Sequence, residues 1–206
     1  LHPLLSDSRV VKRRDYVDSD NDPFDVVGGS NSGHGTFVAG VIRLAAPDAE
    51  IYVYRVTDPQ GVGNGYVLAE AIIQAVNDGC KVINLSLVMI ERHEAIAAAT
   101  AYATARGALI VAAAGNGHTP EARFPASDPN VLGVAAVDTL NVLAGFSCYG
   151  THVDICAPGA DLYGPYLGDG YAWWGGTSFA APFVASQAAL LWYYEPSATR
   201  QERPQS

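Results

Sequence analysis

Two kinds of apolar segment alternate along the chain. Short runs rich in Val and Ile, most of them preceded by a glycine or an acidic turn, are typical of buried strands. They cover residues 51–56, 82–87, 108–113 and 131–137. Longer segments with helical spacing of apolar residues lie between or after them and cover residues 36–46, 65–78, 91–106 and 177–194. Gly79 and Gly107 follow the second and third of these, as is typical of a helix C-terminus.

This alternation predicts an α/β fold with three layers. Strands and helices of these lengths favour a mostly parallel sheet that is covered by helices on both faces and joined by right-handed crossovers. Sites in such folds lie beyond the carboxyl ends of the strands. A length of 206 residues suits one domain, and no internal repeat divides it. We therefore predict one domain over residues 1–194 and a polar tail over residues 195–206.

Composition excludes several classes of function. With 49% hydrophobic and 16% charged residues, the chain is globular rather than disordered. A formal net charge of −9 opposes binding to nucleic acid, because such binding depends on Lys and Arg. No apolar run reaches the roughly 18 residues that would span a membrane. The cysteines Cys80, Cys148 and Cys156 are odd in number and lack metal-binding spacing, so we expect no disulfide framework and no metal site from them.

A glycine-rich turn around His34 is the first candidate for chemistry. Glycines on both sides of the histidine allow close backbone approach at the entrance of a predicted helix. A capping histidine with a purely structural role would explain the same pattern. A dinucleotide-binding loop would not, because the spacing of Gly33, Gly35 and Gly40 departs from GxGxxG. A phosphate-binding P-loop also fails, since its lysine is missing.

Two further segments place polar side chains where a strand ends and where a helix begins. Asn116 follows a predicted strand, and its amide can donate to a developing oxyanion, although an Asn-Gly turn has the same sequence. Ser178 opens the last helix, where free backbone N–H groups favour negative charge, although a helix cap also uses serine. The surrounding sequence lacks the last glycine of the GxSxG elbow of α/β-hydrolases, and the histidine precedes the serine, which argues against that fold.

Together and in this order, the segments HGTFVAG, AAAGN and GTSFAAP resemble the His, oxyanion Asn and Ser motifs of the subtilisin-like (subtilase) family of serine peptidases. The resemblance implies a subtilisin-like fold and hydrolysis of peptide bonds through an acyl-enzyme. His34 would be the general base, Ser178 the nucleophile and Asn116 a donor to the oxyanion. It further implies peptide or protein substrates and a secreted or extracytoplasmic location. We expect a monomer without a nucleic-acid or membrane partner.

The same resemblance implies a set of substrate-binding residues. These are Ser86, Leu87, Val88, Ala113, Ala114, Gly115 and Thr177. The first three would pair with an extended peptide as an added strand, and the next three would wall the primary specificity pocket. Thr177 would support the oxyanion hole. Val88 and Met89 stand where the family usually has glycines, which predicts a narrowed or altered pocket.

The family's catalytic Asp is not recognisable in this sequence. In the family it stands at the end of the first sheet strand in an Asp-[Ser/Thr]-Gly setting, and the residues Leu1 to Leu4 resemble the segment that follows it closely. We therefore expect that strand upstream of Leu1 and a domain that is truncated at both ends. Asp7 has a similar look but lacks the preceding apolar strand. Two functions stay open: a serine endopeptidase, or an impaired pseudo-peptidase or fragment that keeps the peptide-binding cleft.

An acidic segment precedes the histidine motif. Its aspartates, from Asp15 to Asp25, resemble the family's variable loop, which binds calcium in some members, and calcium prefers several oxygen ligands of this kind. A solvated loop is the alternative interpretation. The resemblance implies no required cofactor.

Overall fold

The computed structural model of the protein describes residues 2–195, with the backbone alone at positions 12 and 13. A short 3₁₀ helix, Pro3–Leu5, comes first. The strands and α-helices follow in the order β1 Val10–Asp15, α1 His34–Ala45, β2 Ile51–Arg55, α2 Gly65–Asn77, β3 Val82–Leu85, α3 Glu94–Ala105, β4 Leu109–Ala113, β5 Val131–Val137, β6 Ile155–Pro158, β7 Leu162–Pro165, β8 Tyr171–Trp174 and α4 Thr177–Tyr194. All four predicted strands and all four predicted helices are therefore present, with ends shifted by up to three residues.

The parallel strands form two separate groups. The main sheet has the order β3-β4-β5-β6 with all neighbours parallel. β1 and β2 form a second parallel pair, and β7 and β8 form an antiparallel hairpin. The predicted α/β class with parallel strands is confirmed. The division of the parallel strands into two groups was not predicted.

β4 shows why the sheet needs helices on both faces. Ile110 and Ala112 pack into a cluster with residues of α2 and α3. Val111 and Ala113 point the other way and pack with β5 and α4. All four side chains are inaccessible to solvent. A strand buried on both faces gives a continuous apolar run rather than an alternating one, which is the pattern in the sequence.

Helix ends follow the local sequence. Asn64 caps α2, because its side-chain oxygen accepts a hydrogen bond of 2.8 Å from the backbone N–H of Tyr66. Gly79 and Gly107 follow α2 and α3 with φ angles of 92° and 79°, the left-handed conformation predicted for them. Within residues 2–195 no helix has the length and apolar character needed to cross a bilayer. The predicted polar tail lies outside the described residues except for Glu195.

A cavity of about 970 Å³ extends between the two groups of parallel strands. β2 lines it on one side and β3 on the other, while residues of α2 and of α4 line it from the two helical layers. β2 is hydrogen-bonded to β1 and β3 to β4, and the chain from residue 2 to 195 places no strand between β2 and β3. We call the part of the cavity between β2 and β3 the strand slot.

Candidate active site

His34 is the first residue of α1. The preceding Gly33 has a φ of 82°, a left-handed conformation that glycine adopts without strain. The imidazole contacts two aromatic rings, with centroid distances of 5.8 Å to Trp174 and 5.3 Å to Phe179. Burial lowers the pKa of His34, and the charge of the Asp25 carboxylate acts in the opposite direction without reversing the shift. The ring is therefore neutral near pH 7, as a general base must be.

Ser178 is the second residue of α4 and lies two positions after Gly176, the glycine that caps this helix. At this position the backbone N–H groups of the first turn have no partner within the helix. The carbonyl oxygen of Ser178 accepts a hydrogen bond of 2.5 Å from the hydroxyl of Ser86, the residue that follows β3. This bond ties the first turn of α4 to the carboxyl end of β3.

Asn116 is held by the residue that precedes the serine. Its side-chain oxygen accepts hydrogen bonds from the backbone N–H and from the hydroxyl of Thr177, both at 2.9 Å. The Thr177 hydroxyl also accepts a hydrogen bond of 3.0 Å from the N–H of Gly115. With its oxygen fixed, Asn116 directs Nδ2 toward Gly176, where a Cβ would lie 3.3 Å away. A side-chain N–H donor is thus held against the start of α4, the helix that carries Ser178.

One cavity brings most of the predicted site residues together. His34, Asn116 and Ser178 line it, and so do Ser86, Leu87, Val88 and Thr177. The other three, Ala113, Ala114 and Gly115, do not line this cavity and are buried where β4 leads into Asn116. Thr177 is fully buried, so its contacts are with Asn116 and Gly115 rather than with open space.

No carboxylate within residues 2–195 forms a hydrogen bond with the His34 ring. Asp25 is the acidic residue whose charge acts on it, but the Asp25 carboxylate accepts from the N–H and the hydroxyl of Thr36 at 2.7 and 2.5 Å. The Asp25 carboxylate therefore satisfies hydrogen-bond donors in the first turn of α1. Asp7 pairs with Arg43 at 2.5 Å in the last turn of α1, which is about 14 Å along the helix from His34. Asp7 is thus too distant to orient the imidazole.

A family model described as the subtilase family, peptidase S8, matches residues 1–204. The chain belongs to the subtilase family. It is 42% identical over 200 residues to a thermophilic serine proteinase of Bacillus sp. strain AK1 and 38% identical over 200 residues to thermitase of Thermoactinomyces vulgaris. Each alignment covers 92% of this chain. They cover 48% of the thermophilic proteinase and 70% of thermitase, so the subtilase chain spans about half the length of the first relative.

Solved structures agree with the family assignment. A cold adapted subtilisin-like serine proteinase matches the subtilase fold described here with a TM-score of 0.87 at 29% identity. That comparison covers 96% of this chain and 72% of the other. A lanthipeptide protease matches with a TM-score of 0.82 at 28% identity and covers 98% of this chain.

The acidic loop of this subtilase is occupied by internal hydrogen bonds and an arginine. Buried Asp15 accepts from the N–H groups of Val17 and Asp18 at 2.7 and 3.0 Å. Arg55 donates to Asp15 at 2.6 Å and to Asp18 at 2.5 Å. Within the described residues no group of three His, Cys, Asp or Glu side chains could hold a metal. Calcium binding by this loop stays a prediction.

Sequence reasoning missed two contacts of the site. The hydroxyl of Ser86 and the carbonyl of Ser178 are 92 residues apart in sequence, and no local signal predicts their bond. Trp174 packs on His34 from β8, a strand in a segment without clear periodicity. Of the two residues expected to narrow the cleft, Val88 lines the cavity, whereas Met89 packs against the core.

Proposed function

We propose that this subtilase is a serine endopeptidase that hydrolyses peptide or protein substrates through an acyl-enzyme. The observation that carries the proposal is the shared cavity in which His34, Ser178 and Asn116 meet, with Asn116 fixed by Thr177. Identity to relatives named as serine proteinases supports it. By the same family membership, we propose an extracytoplasmic monomer whose peptidase domain covers residues 1–194.

The reaction would divide between these side chains. Ser178 Oγ attacks the carbonyl carbon of the scissile bond while His34 accepts its proton. The oxyanion receives hydrogen bonds from Asn116 Nδ2 and from the N–H of Ser178. The C–N bond then breaks and His34 returns the proton to the leaving amine. Water attacks the resulting ester with His34 again as the base, and the acid product leaves with Ser178 restored.

The strand slot leads us to propose that full activity requires one further strand between β2 and β3. A strand lying parallel between β2 and β3 would pair with both, and its carboxyl end would lie with the carboxyl end of β3, next to the cavity residues Ser86 and His34. An acidic side chain there would orient the imidazole and stabilise its cation. Asn84 of β3 lines the cavity, and its buried Oδ1 has no hydrogen-bond partner within the described residues. We therefore propose that the chain's own upstream sequence fills the slot and supplies the acid.

Labelling with a fluorophosphonate tests the proposed nucleophile. The wild-type chain should label at Ser178, Ser178→Ala should not label, and Asn116→Ala should label more slowly. No labelling of wild type, or equal labelling of Ser178→Ala, would overturn the assignment.

A second chain that carries the native upstream sequence tests the slot. In subtilisin, loss of the triad aspartate alone lowers kcat by about 3 × 10⁴. We expect a rate increase approaching that size when the upstream sequence is present and its loss when the upstream acid is replaced by Ala. A chain that binds peptides but does not label in either form is instead the pseudo-peptidase, the alternative favoured by the absence of a carboxylate on His34 within residues 2–195.

A further inference from the structure

Residues 123 and 124 lie between the two segments that are expected to bind substrate, 86–88 and 113–115. Met89, which follows the peptide-pairing segment 86–88, donates its N–H to the carbonyl of Phe124 at 2.6 Å and accepts from the N–H of Phe124 at 3.0 Å. Phe124 in turn contributes to the core cluster that contains β3 and β4. The residue before it, Arg123, is therefore carried to the other segment, 113–115, which leads to the oxyanion donor.

The Arg123 side chain lies directly against the backbone of this second segment. A Cβ on Gly115 would be 3.1 Å from Arg123 Cγ and 3.1 Å from Cys148 Sγ, and Gly115 has a φ of 111°. Glycine at position 115 thus leaves the room that the arginine stem occupies. Nη2 of the guanidinium lies 3.9 Å from where a Cβ of Gly117 would be. The positive charge is therefore next to the turn that carries Asn116.

The charge of Arg123 is weakly compensated. Its ion pair within the described residues is with Glu121, at 3.5 Å, and the Glu121 side chain is 75% exposed whereas that of Arg123 is 22% exposed. A surface pair of this kind contributes little, and most of the guanidinium donors stay available. The nearby His152 does not add a second positive charge, because burial lowers the pKa of its ring and the charge of Arg123 lowers it further. A partly buried cation with free donors favours a carboxylate.

We propose that Arg123 determines specificity by binding the side chain of Asp or Glu at the residue whose carbonyl Ser178 attacks. This inference rests on the proposed function for the position of the substrate. Ala113, Ala114 and Gly115 are buried and offer no charged group, so Arg123 supplies the charge on this side of the expected specificity pocket. An uncharged side chain would leave the guanidinium with reduced solvation and with only its weak ion pair to Glu121 within the described residues.

Peptide substrates that differ only at this residue test the inference. Glu and Gln have the same shape, so their ratio of kcat/KM isolates the charge. We expect wild type to prefer Glu over Gln by about 10- to 100-fold, the range of a charge-assisted hydrogen bond. Arg123→Gln should bring the ratio near one, Arg123→Lys should keep part of it, and Arg123→Glu should favour Lys. Arg106→Gln, at the exposed end of α3, is the matched control and should keep the wild-type ratio.

A binding measurement separates this inference from the proposed function. Ser178→Ala should bind peptides that end in Glu more tightly than peptides that end in Gln, as followed by fluorescence anisotropy, and Arg123→Gln in the same background should remove the difference. Absence of fluorophosphonate labelling together with this preference would overturn the peptidase and keep the charge selectivity. Equal binding of the two peptides by Ser178→Ala, or an unchanged ratio in a folded Arg123→Gln, would overturn the role of Arg123.

Discussion

Thr177→Val tests how the oxyanion donor is held. Thr177 is fully buried, and its hydroxyl donates to Asn116 Oδ1 at 2.9 Å and accepts from the N–H of Gly115 at 3.0 Å. Valine has a similar shape but makes neither bond. The backbone N–H of Thr177 keeps its own bond to Asn116, so the amide loses one of two restraints rather than both.

The two lost bonds have different consequences. A buried N–H of Gly115 without a partner costs about 1–3 kcal/mol of folding stability. For reactivity, an equivalent asparagine donor in subtilisin contributes about 2.7–4 kcal/mol, which is a ceiling for any change that acts through Asn116. Loss of one of its two restraints should cost roughly half of this free energy, and the labelling rate at Ser178 should fall by about 10- to 30-fold.

The assay is the rate of fluorophosphonate labelling in a double-mutant cycle. If Thr177 acts through Asn116, Thr177→Val should slow labelling strongly in wild type and little further in Asn116→Ala, because coupled residues are not additive. Thr177→Ser keeps the hydroxyl and should label at nearly the wild-type rate. Urea unfolding reports the stability cost independently. Equal rate losses in both backgrounds, or a Thr177→Ser as slow as Thr177→Val, would refute the reasoning.

Three further predictions concern the pH dependence of stability, the pH dependence of labelling, and the role of Ser86. Burial acts to raise the pKa of Asp15, but the N–H groups of its loop and Arg55 outweigh it, so the folded pKa lies below the ordinary 3.8. The Asp15 carboxylate thus stabilises the fold at pH values above its ordinary pKa, and this contribution is lost as the pH falls through the folded pKa. The free energy of unfolding in urea should therefore fall less steeply with decreasing pH for Asp15→Asn than for wild type. An equally steep fall contradicts this. Labelling should rise with pH through the pKa of His34, and Asp25→Asn should move the midpoint to lower pH, because Asp25 raises that pKa; a higher midpoint contradicts it. Ser86→Ala should slow labelling by about 3- to 10-fold through the lost bond to Ser178, whereas exposed Ser8→Ala should not.

The main strands, and the positions of His34 and Ser178 at one cavity, could be predicted because each has a local signature. β4 is buried on both faces, and its five residues are all apolar. His34 directly follows Gly33, and Ser178 lies two positions after Gly176, so both stand at the start of a helix and line the cavity. Such features depend on a few consecutive residues, so a sequence contains them in full.

Contacts between distant segments could not be predicted in the same way. The bond between Thr177 and Asn116 joins residues 61 positions apart, and the position of Arg123 depends on the bridge between Met89 and Phe124. β1 was also missed, because Lys and Arg at positions 12–14 interrupt its apolar pattern. Among the described strands β1 pairs with β2 alone, and such an edge position tolerates these charges.

The two halves of the proposed catalytic site rest on different parts of the fold. The oxyanion half is built from β4, the start of α4 and the end of β3, all of which are joined by strand pairing or by hydrogen bonds of Thr177 and Ser86. The base half is His34 on α1. This histidine lines the cavity that contains the strand slot, and it has no carboxylate partner within residues 2–195. A change in the slot should therefore act on proton transfer by His34 and leave the donor geometry at Asn116 intact. Preorganised donors supply a large share of catalysis on their own, so the described residues should retain measurable reactivity at Ser178 even while the slot is open.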